Sequence, residues 1–324
     1  MPQILSTTAD TALQLYSGWQ PLVSHDLLTP PLPGYRLLDS GAGRKLEDLG
    51  GILVIRPCPQ AVWQPRLEAK AWDAAEACCH RTETGGGYWE FRHGDPGERP
   101  WQWRDPDGQA AFSAKLRLTA FGHCGAFFEQ EPIWRHLVAH LARKTRPRFA
   151  NLFGYTGCAS LAAAAAGAEV FHVDSAKGVL DWGRDNARRS GLDQAPIHWI
   201  QDDVRSFLRL AAKRDFRYDA ILVDPPSWGH ASHGRRKTAA WRFEDGVAEL
   251  LAACRAALVD DDPLLIFTSH VPGVQQASAR NLLQVPGWSC TSGELGIAHA
   301  DDPRILPAGI YAKLRLSQDI SDAS

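Results

Sequence analysis

From Phe149 onward, short apolar runs alternate with amphipathic stretches, and few folds accept that rhythm. FANLF, AEVFHVD, APIHWIQDD, YDAILVD and PLLIFTSH read as strands. Ala159 to Ala166, GVLDWGRDNARRSGL, VRSFLRLAAKR, FEDGVAELLAACRAAL and VQQASARNLLQV read as the helices between and after them. WSCTSGELGIAHA and GIYAKLRLS would close the chain as an antiparallel pair. Strands that alternate with helices imply a mostly parallel sheet covered on both faces, an α/β architecture.

The first part of the chain has a different texture. Residues 1–30 lack strong periodicity, end in TPPLPG, and read as a loosely packed arm. Residues 31–117 read as a small β-rich domain, with turn clusters TGGG and HGDPG and two apolar strands around SGAGRK. Trp63, Trp72, Trp89, Trp101 and Trp103 crowd this stretch. They could offer a base-stacking surface, but a small domain's core is the better reading, because each Trp buries much area. Ile133, Leu137, Val138 and Leu141 then share one face of an amphipathic helix. The domain division falls near residue 118, leaving 118–324 as the α/β domain.

At 324 residues the chain can hold two cores. Its formal net charge of −2 gives no global case for nucleic acid or membrane, so any such case must be local. No apolar run reaches the ~20 residues that span a bilayer, and the N-terminus lacks a basic segment of the secretory kind. The seven cysteines show no zinc-ligand spacing. They read as reduced thiols of a cytoplasmic protein, and no metal site is expected.

In an open parallel sheet, ligands bind beyond the C-terminal ends of the strands. The chemically notable residues all fall there. The first strand runs into a turn with Gly154 and Gly157, where backbone can approach a ligand closely and a helix start offers free N–H groups. The second ends in Asp174, 20 residues past Gly154, placed to accept from two ribose hydroxyls. That suits an adenosine-type or a NAD-type cofactor equally. The third ends in Asp202 and Asp203, either of which could accept from an adenine amine or simply cap a helix. The fourth ends in Asp224-Pro225-Pro226-Ser227. Consecutive prolines stiffen that loop and fix the Asp and its neighbouring carbonyls as acceptors for a planar amine or base edge. A NAD-dependent dehydrogenase needs no such array.

NLFGYTG, HVD, QDD, VDPPSW and the earlier GHCGAFFEQ together resemble the motifs of class I S-adenosylmethionine-dependent methyltransferases. The chain is most similar to the bacterial 23S ribosomal RNA cytosine-C5 methyltransferase family, over about residues 118–316, with GRKLEDLGG and ADDPRILPAGIYAKL resembling further segments. The N-terminal RNA-binding module that many members carry is not recognisable. The resemblance implies a Rossmann-like class I methyltransferase fold, with a mostly parallel seven-stranded sheet, a terminal antiparallel strand and the smaller N-terminal β-rich domain. It implies S-adenosyl-L-methionine as cofactor. Asn151, Phe153, Gly154, Tyr155, Thr156 and Gly157 would hold its methionine part, Asp174 its ribose, and Asp203 with Val204 its adenine. Phe128 and Gln130 would cover it. Asp224, Pro225, Pro226 and Ser227 would face the substrate. Asn151 stands where an acid is commoner, losing a charge but keeping an acceptor.

One departure bears on the chemistry. Methylation at cytosine C5 needs a cysteine thiolate to attack the ring. The family carries it at the end of strand five, where this chain has IFTSH and Thr268. A Thr hydroxyl does not replace a thiolate, which counts against cytosine-C5 chemistry. Attack by an exocyclic amine needs only alignment and a proton acceptor. The segment 230–242, with Arg235, Arg236, Lys237 and Arg242 beside Trp241, and the patch RKTRPR at 143–148 are the local basic features that could grip RNA. The reading is a methyltransferase acting on ribosomal RNA, with the oligomeric state open and a homodimer among the options. The alternatives are an NAD-linked oxidoreductase and a non-catalytic nucleic-acid-binding protein on the same fold.

Overall fold

The computed structural model describes residues 25–82, 86–229 and 240–316. Among them β1 (Leu27–Thr29) comes first, followed by an N-terminal sheet. That sheet runs β2 (Tyr35–Gly41), β3 (Arg44–Leu49), β4 (Leu53–Pro57), α1 (Ala69–Asp73), β5 (Ala77–Arg81) and β6 (Gly87–Phe91). Its strands pair in sequence order, antiparallel except where α1 carries β4 across to a parallel β5. β7 (Arg99–Arg104) and β8 (Ala111–Leu116) make a separate antiparallel pair.

The two apolar strands expected over 35–57 are three. Acidic residues hid β3 from an apolar-run reading. Glu47 is fully buried, accepting from Arg56 at 2.6 and 2.7 Å and from the Tyr35 hydroxyl at 3.0 Å, with Lys45 at 3.0 Å. Burial pushes its carboxyl up, but the two cations outweigh that and hold it down to about 2. Nonlocal pairing therefore makes a charged residue a core residue.

Next come α2 (Glu131–Leu141), β9 (Arg148–Leu152), α3 (Cys158–Ala165), β10 (Glu169–Asp174), α4 (Lys177–Arg189), β11 (Ile197–Gln201), α5 (Val204–Lys213) and β12 (Ala220–Val223). After the short pair β13 (Trp228–Gly229) and β14 (Trp241–Arg242) come α6 (Phe243–Ala256), β15 (Leu264–Ser269), α7 (Gln276–Leu283), β16 (Trp288–Ala298) and β17 (Ile305–Leu316). The large sheet has the order β1-β16-β17-β15-β12-β9-β10-β11. β15, β12, β9, β10 and β11 are mutually parallel, and β17 runs antiparallel between β15 and β16. This is the expected seven-stranded sheet with one added edge. β1 pairs in parallel with β16, so the end of the expected arm is ordered structure. Thr29 donates its hydroxyl to the Phe128 carbonyl at 2.9 Å, and the Tyr311 hydroxyl donates to the His25 carbonyl.

Two apolar cores cover the sheet faces. One joins Tyr35, Trp101 and Phe112 to Ile133, Leu161 and Ile266, so it crosses the division expected near residue 118. Trp101 and Trp103, 2% and 3% exposed, pack on Phe112 and Trp134 within it. They are core, not a stacking surface. The edge of β8 is satisfied by the end of α4, where the side chains of Asn186 and of Ser190, the residue capping the helix, accept from the Lys115 and Ser113 amides at 3.0 and 2.9 Å. No helix of the described residues is long and apolar enough to cross a membrane.

The chain leaves β9 in one direction toward β10 and β11, then returns to β12 on the other side. Strand order reverses between β9 and β12, and a crevice opens beyond their C-terminal ends.

Candidate active site

A cavity of about 600 Å³ occupies that crevice, of a size that small-molecule sites have. Its walls include Asn151 in β9 and Phe153 to Gly157 after it, Asp174 at the end of β10, Asp224 to Ser227 after β12, and Gln130 from the turn before α2.

The turn after β9 is strained. Phe153 and Tyr155 take φ of 59° and 50°, and Gly157 takes 91°. Left-handed backbone at two bulky residues is uncommon and persists only when its surroundings hold it. Several contacts do so. Thr156 donates its hydroxyl to the Gly125 carbonyl at 2.6 Å, and Asn186 donates to the Thr156 carbonyl at 3.1 Å. Gly154 is needed for another reason, since a Cβ there would lie 2.4 Å from the His172 ring. That ring is fully buried and shares a 2.9 Å hydrogen bond with Ser160, which accepts from Asn151 at 2.9 Å. Burial holds His172 down to about 3, so the ring under the turn is neutral. The Asn151 side chain thus braces the turn's underside through Ser160 and His172.

Asp174 meets the turn from the next strand. Its carboxylate accepts from the Tyr155 amide at 3.1 Å and the Ala176 amide at 2.9 Å. Burial pushes the carboxyl up, partly offset by these backbone donors. Each oxygen keeps acceptor capacity for another donor.

At the other end, Gln130 Nε2 donates to Asp224 at 3.2 Å and to the Thr268 hydroxyl at 3.1 Å. The Trp241 indole donates to the Pro226 carbonyl at 2.7 Å, and the Phe243 amide to the Ser227 carbonyl at 3.1 Å. The proline corner is therefore pinned from behind by a buried Trp that also packs on Phe153. Thr268 is fully buried and outside the cavity wall. Cys158 does line the cavity, but burial pushes its thiol up to about 12, leaving no thiolate near neutral pH.

Phe128, Asp203 and Val204 are not in the cavity wall. Phe128 is buried and stacks on Tyr35 with ring centroids 3.6 Å apart. Asp203 caps α5, accepting from the Arg205 and Ser206 amides, and pairs with the Arg205 guanidinium at 2.8 Å. The patch at 143–148 lies at the N-terminal ends of the strands, opposite the cavity. Arg143 pairs with Asp262 at 3.5 Å, Lys144 with Asp219 at 3.2 Å and Arg148 with Glu169 at 3.7 Å. It cannot grip a strand at the cavity mouth. Of the basic segment 230–242, residues 230–239 lie outside the described residues.

His270, Phe127, His123 and Arg81 line the cavity without having been singled out. His270 ends the IFTSH run, so the strand-end rule that marked the acids marks it too. Arg81 ends β5, and only the tertiary packing of the N-terminal sheet against the crevice brings it there.

The profile of the family described as S-adenosylmethionine-dependent methyltransferase matches residues 99–262. The chain is 36% identical over 126 residues to a ribosomal RNA large subunit methyltransferase K/L of Cellvibrio japonicus, covering 39% of this chain and 16% of that protein. It is 31% identical over 153 residues to a ribosomal RNA large subunit methyltransferase I of Aeromonas salmonicida, covering 47% and 34%. The matches thus span 16% and 34% of those relatives' lengths. Among solved structures, a SAM-dependent methyltransferase from Agrobacterium tumefaciens aligns with a TM-score of 0.82 and 35% identity, over 90% of this chain and 94% of that one.

Proposed function

Because the chain belongs to the S-adenosylmethionine-dependent methyltransferase family, we propose that it transfers a methyl group to an exocyclic amine of a base in ribosomal RNA. The observation that carries this reading is the placement of Asp174 and Asp224-Pro225-Pro226 at two ends of one cavity around a strained turn. The residues present fit the cofactor. An acid with spare acceptor capacity faces the adenosine end. Gln130 Oε1 and the Tyr155 hydroxyl, on two lining residues, are buried without a hydrogen-bond partner among the described residues, and such groups call for a polar occupant.

Asp174 would accept from the ribose hydroxyls, and the backbone of Gly154 to Gly157 would cradle the amino-acid part. Gln130 would close the opposite side. When bound, S-adenosylmethionine supplies an electrophilic methyl group. Asp224 and the carbonyls of the proline corner would orient the amine, Gln130 would hold the Asp224 carboxylate in place, and Phe127 and Tyr155 would exclude water. Thr268 behind Gln130 and the protonated Cys158 leave this cavity without the thiolate that cytosine C5 requires. The relatives' names support ribosomal RNA as acceptor, and that acceptor would place the protein in the cytoplasm.

Calorimetry with S-adenosylmethionine and with NAD, followed by radiolabelled methyl transfer to ribosomal RNA from a gene-deleted strain, tests the proposal. Nucleoside mass spectrometry then names the atom. Binding of NAD in preference to S-adenosylmethionine would overturn it, and so would tight cofactor binding without label in RNA. A label on cytosine C5 would overturn the amine assignment.

A further inference from the structure

His270 stands one residue past β15 and lines the cavity. Its ring is held on both sides. Nδ1 donates to the Ala308 carbonyl at 2.8 Å, which fixes the tautomer of the neutral ring and puts the lone pair on Nε2. Nε2 lies 3.7 Å from Asp224 Oδ2 and 3.5 Å from Gln130 Nε2. Phe127 stacks on the ring at 5.9 Å, and a third of the side chain remains open to the cavity.

We propose that His270 is the proton acceptor of the transfer step, taking through Nε2 the proton that the attacking amine gives up beside Asp224. This rests on the amine reading above. The balance is simple. The amine lone pair forms the new N–C bond, the S–C bond breaks with its electron pair staying on sulfur, and the N–H proton passes to His270. No oxidant, reductant or metal enters.

The surroundings tune the ring for that task. Asp224 after β12, Glu129 with Oε1 3.8 Å from Nδ1, and Lys45 on β3 act on it, while His123 in the loop before the α2 turn, lowered to about 4, is neutral where His270 titrates. Burial and Lys45 disfavour the imidazolium, while the two carboxylates and the Ala308 carbonyl favour it and prevail, so the ring's pKa is raised. A base is most effective with its pKa near the working pH, and a raised His moves that way. The acceptor must be neutral to work, so the rate should climb with pH through the His270 pKa and level off above it.

The test uses full-length protein, radiolabelled S-adenosylmethionine and ribosomal RNA from a gene-deleted strain, in single turnovers from pH 5.5 to 9. Wild type should show the acid limb. H270Q should be on the order of 10²-fold slower and lose the limb, while its cofactor Kd by calorimetry stays within about twofold. E129Q removes a carboxylate that favours the imidazolium, so its limb should move to lower pH. NMR titration of the imidazole in cofactor-free protein should show His270 protonating above free histidine, and less so in E129Q. An H270Q protein that keeps the limb, or an NMR pKa at or below that of free histidine, overturns the proposal while leaving the methyltransferase reading intact. A wild-type protein that binds cofactor yet labels no RNA overturns both.

Discussion

The Tyr155 amide donates to the Asp174 carboxylate across 3.1 Å, tying the strained turn after β9 to the end of β10. One side chain therefore holds the turn's shape and, under the proposed function, would also offer the acceptor for the ribose hydroxyls. Replacing Asp174 by Asn keeps one acceptor oxygen but loses the charge. Hydrogen bonds to a charged partner contribute about 1.5–3 kcal/mol, so D174N should raise the S-adenosylmethionine Kd about 10- to 100-fold in calorimetry. D174A also orphans the Tyr155 amide and should do worse.

Gly154 makes a contrast with Gly178. A methyl at Gly154 would strike the His172 ring at 2.4 Å, and that ring is packed on Trp199 with no room to retreat. G154A should cost about 1–3 kcal/mol of stability, as overpacking does, and weaken cofactor binding. Gly178 lies in α4 with open space around a Cβ. G178A should stabilise by up to about 1 kcal/mol through helix propensity. Thermal melts with and without cofactor separate the two.

Stability should fall in acid before carboxylates matter. His172 has a folded pKa of about 3 against 6.5 for the free group. Below pH 6.5 the unfolded chain takes up a proton that the folded chain refuses, so this contribution is complete above 6.5 and lost as pH falls toward 3. Inside that window one such group costs about 1.4 kcal/mol per pH unit. His123, His136 and His140, each lowered to about 4 mainly by burial, act in the same direction. His270, with its raised pKa, opposes them. Melts at pH 7.5, 6 and 5 should show a falling Tm, and H172N should flatten the fall.

The parallel sheet was legible because its central strands carry their own apolar runs, and β12, AILV, is buried along its whole length. The acids at strand ends were legible as a group, since the chain direction alone puts them on one rim. Capping was one of the two readings open for Asp203, but which acid lines the cavity was not legible. Asp174 and Asp203 follow similar strands, yet Asp203 is occupied by Arg205 two residues on, and only rotamers decide that. Gly154 was expected to let backbone approach a ligand closely; what the sequence did not show is that the positive φ falls on its neighbours Phe153 and Tyr155 and that His172, a residue of another strand, leaves no room for a Cβ there. The patch at 143–148 could have been placed correctly from sequence: it precedes β9, so it belongs to the end of the sheet away from the cavity.

That placement yields the sharpest test of where RNA approaches. Arg81 is exposed, ends β5 and lines the cavity. Arg143 sits at the far end of the sheet beside Asp262. A cation that meets a phosphate releases counterions on binding, so its loss should weaken RNA use and reduce the salt dependence. R81A should raise the KM for ribosomal RNA several-fold at low salt, with a smaller difference from wild type at higher salt, and leave the cofactor Kd unchanged. R143A should change neither constant. If R143A raised the RNA KM and R81A did not, the substrate would be approaching from the N-terminal ends of the strands, and the cavity at their other ends would not be where RNA is modified.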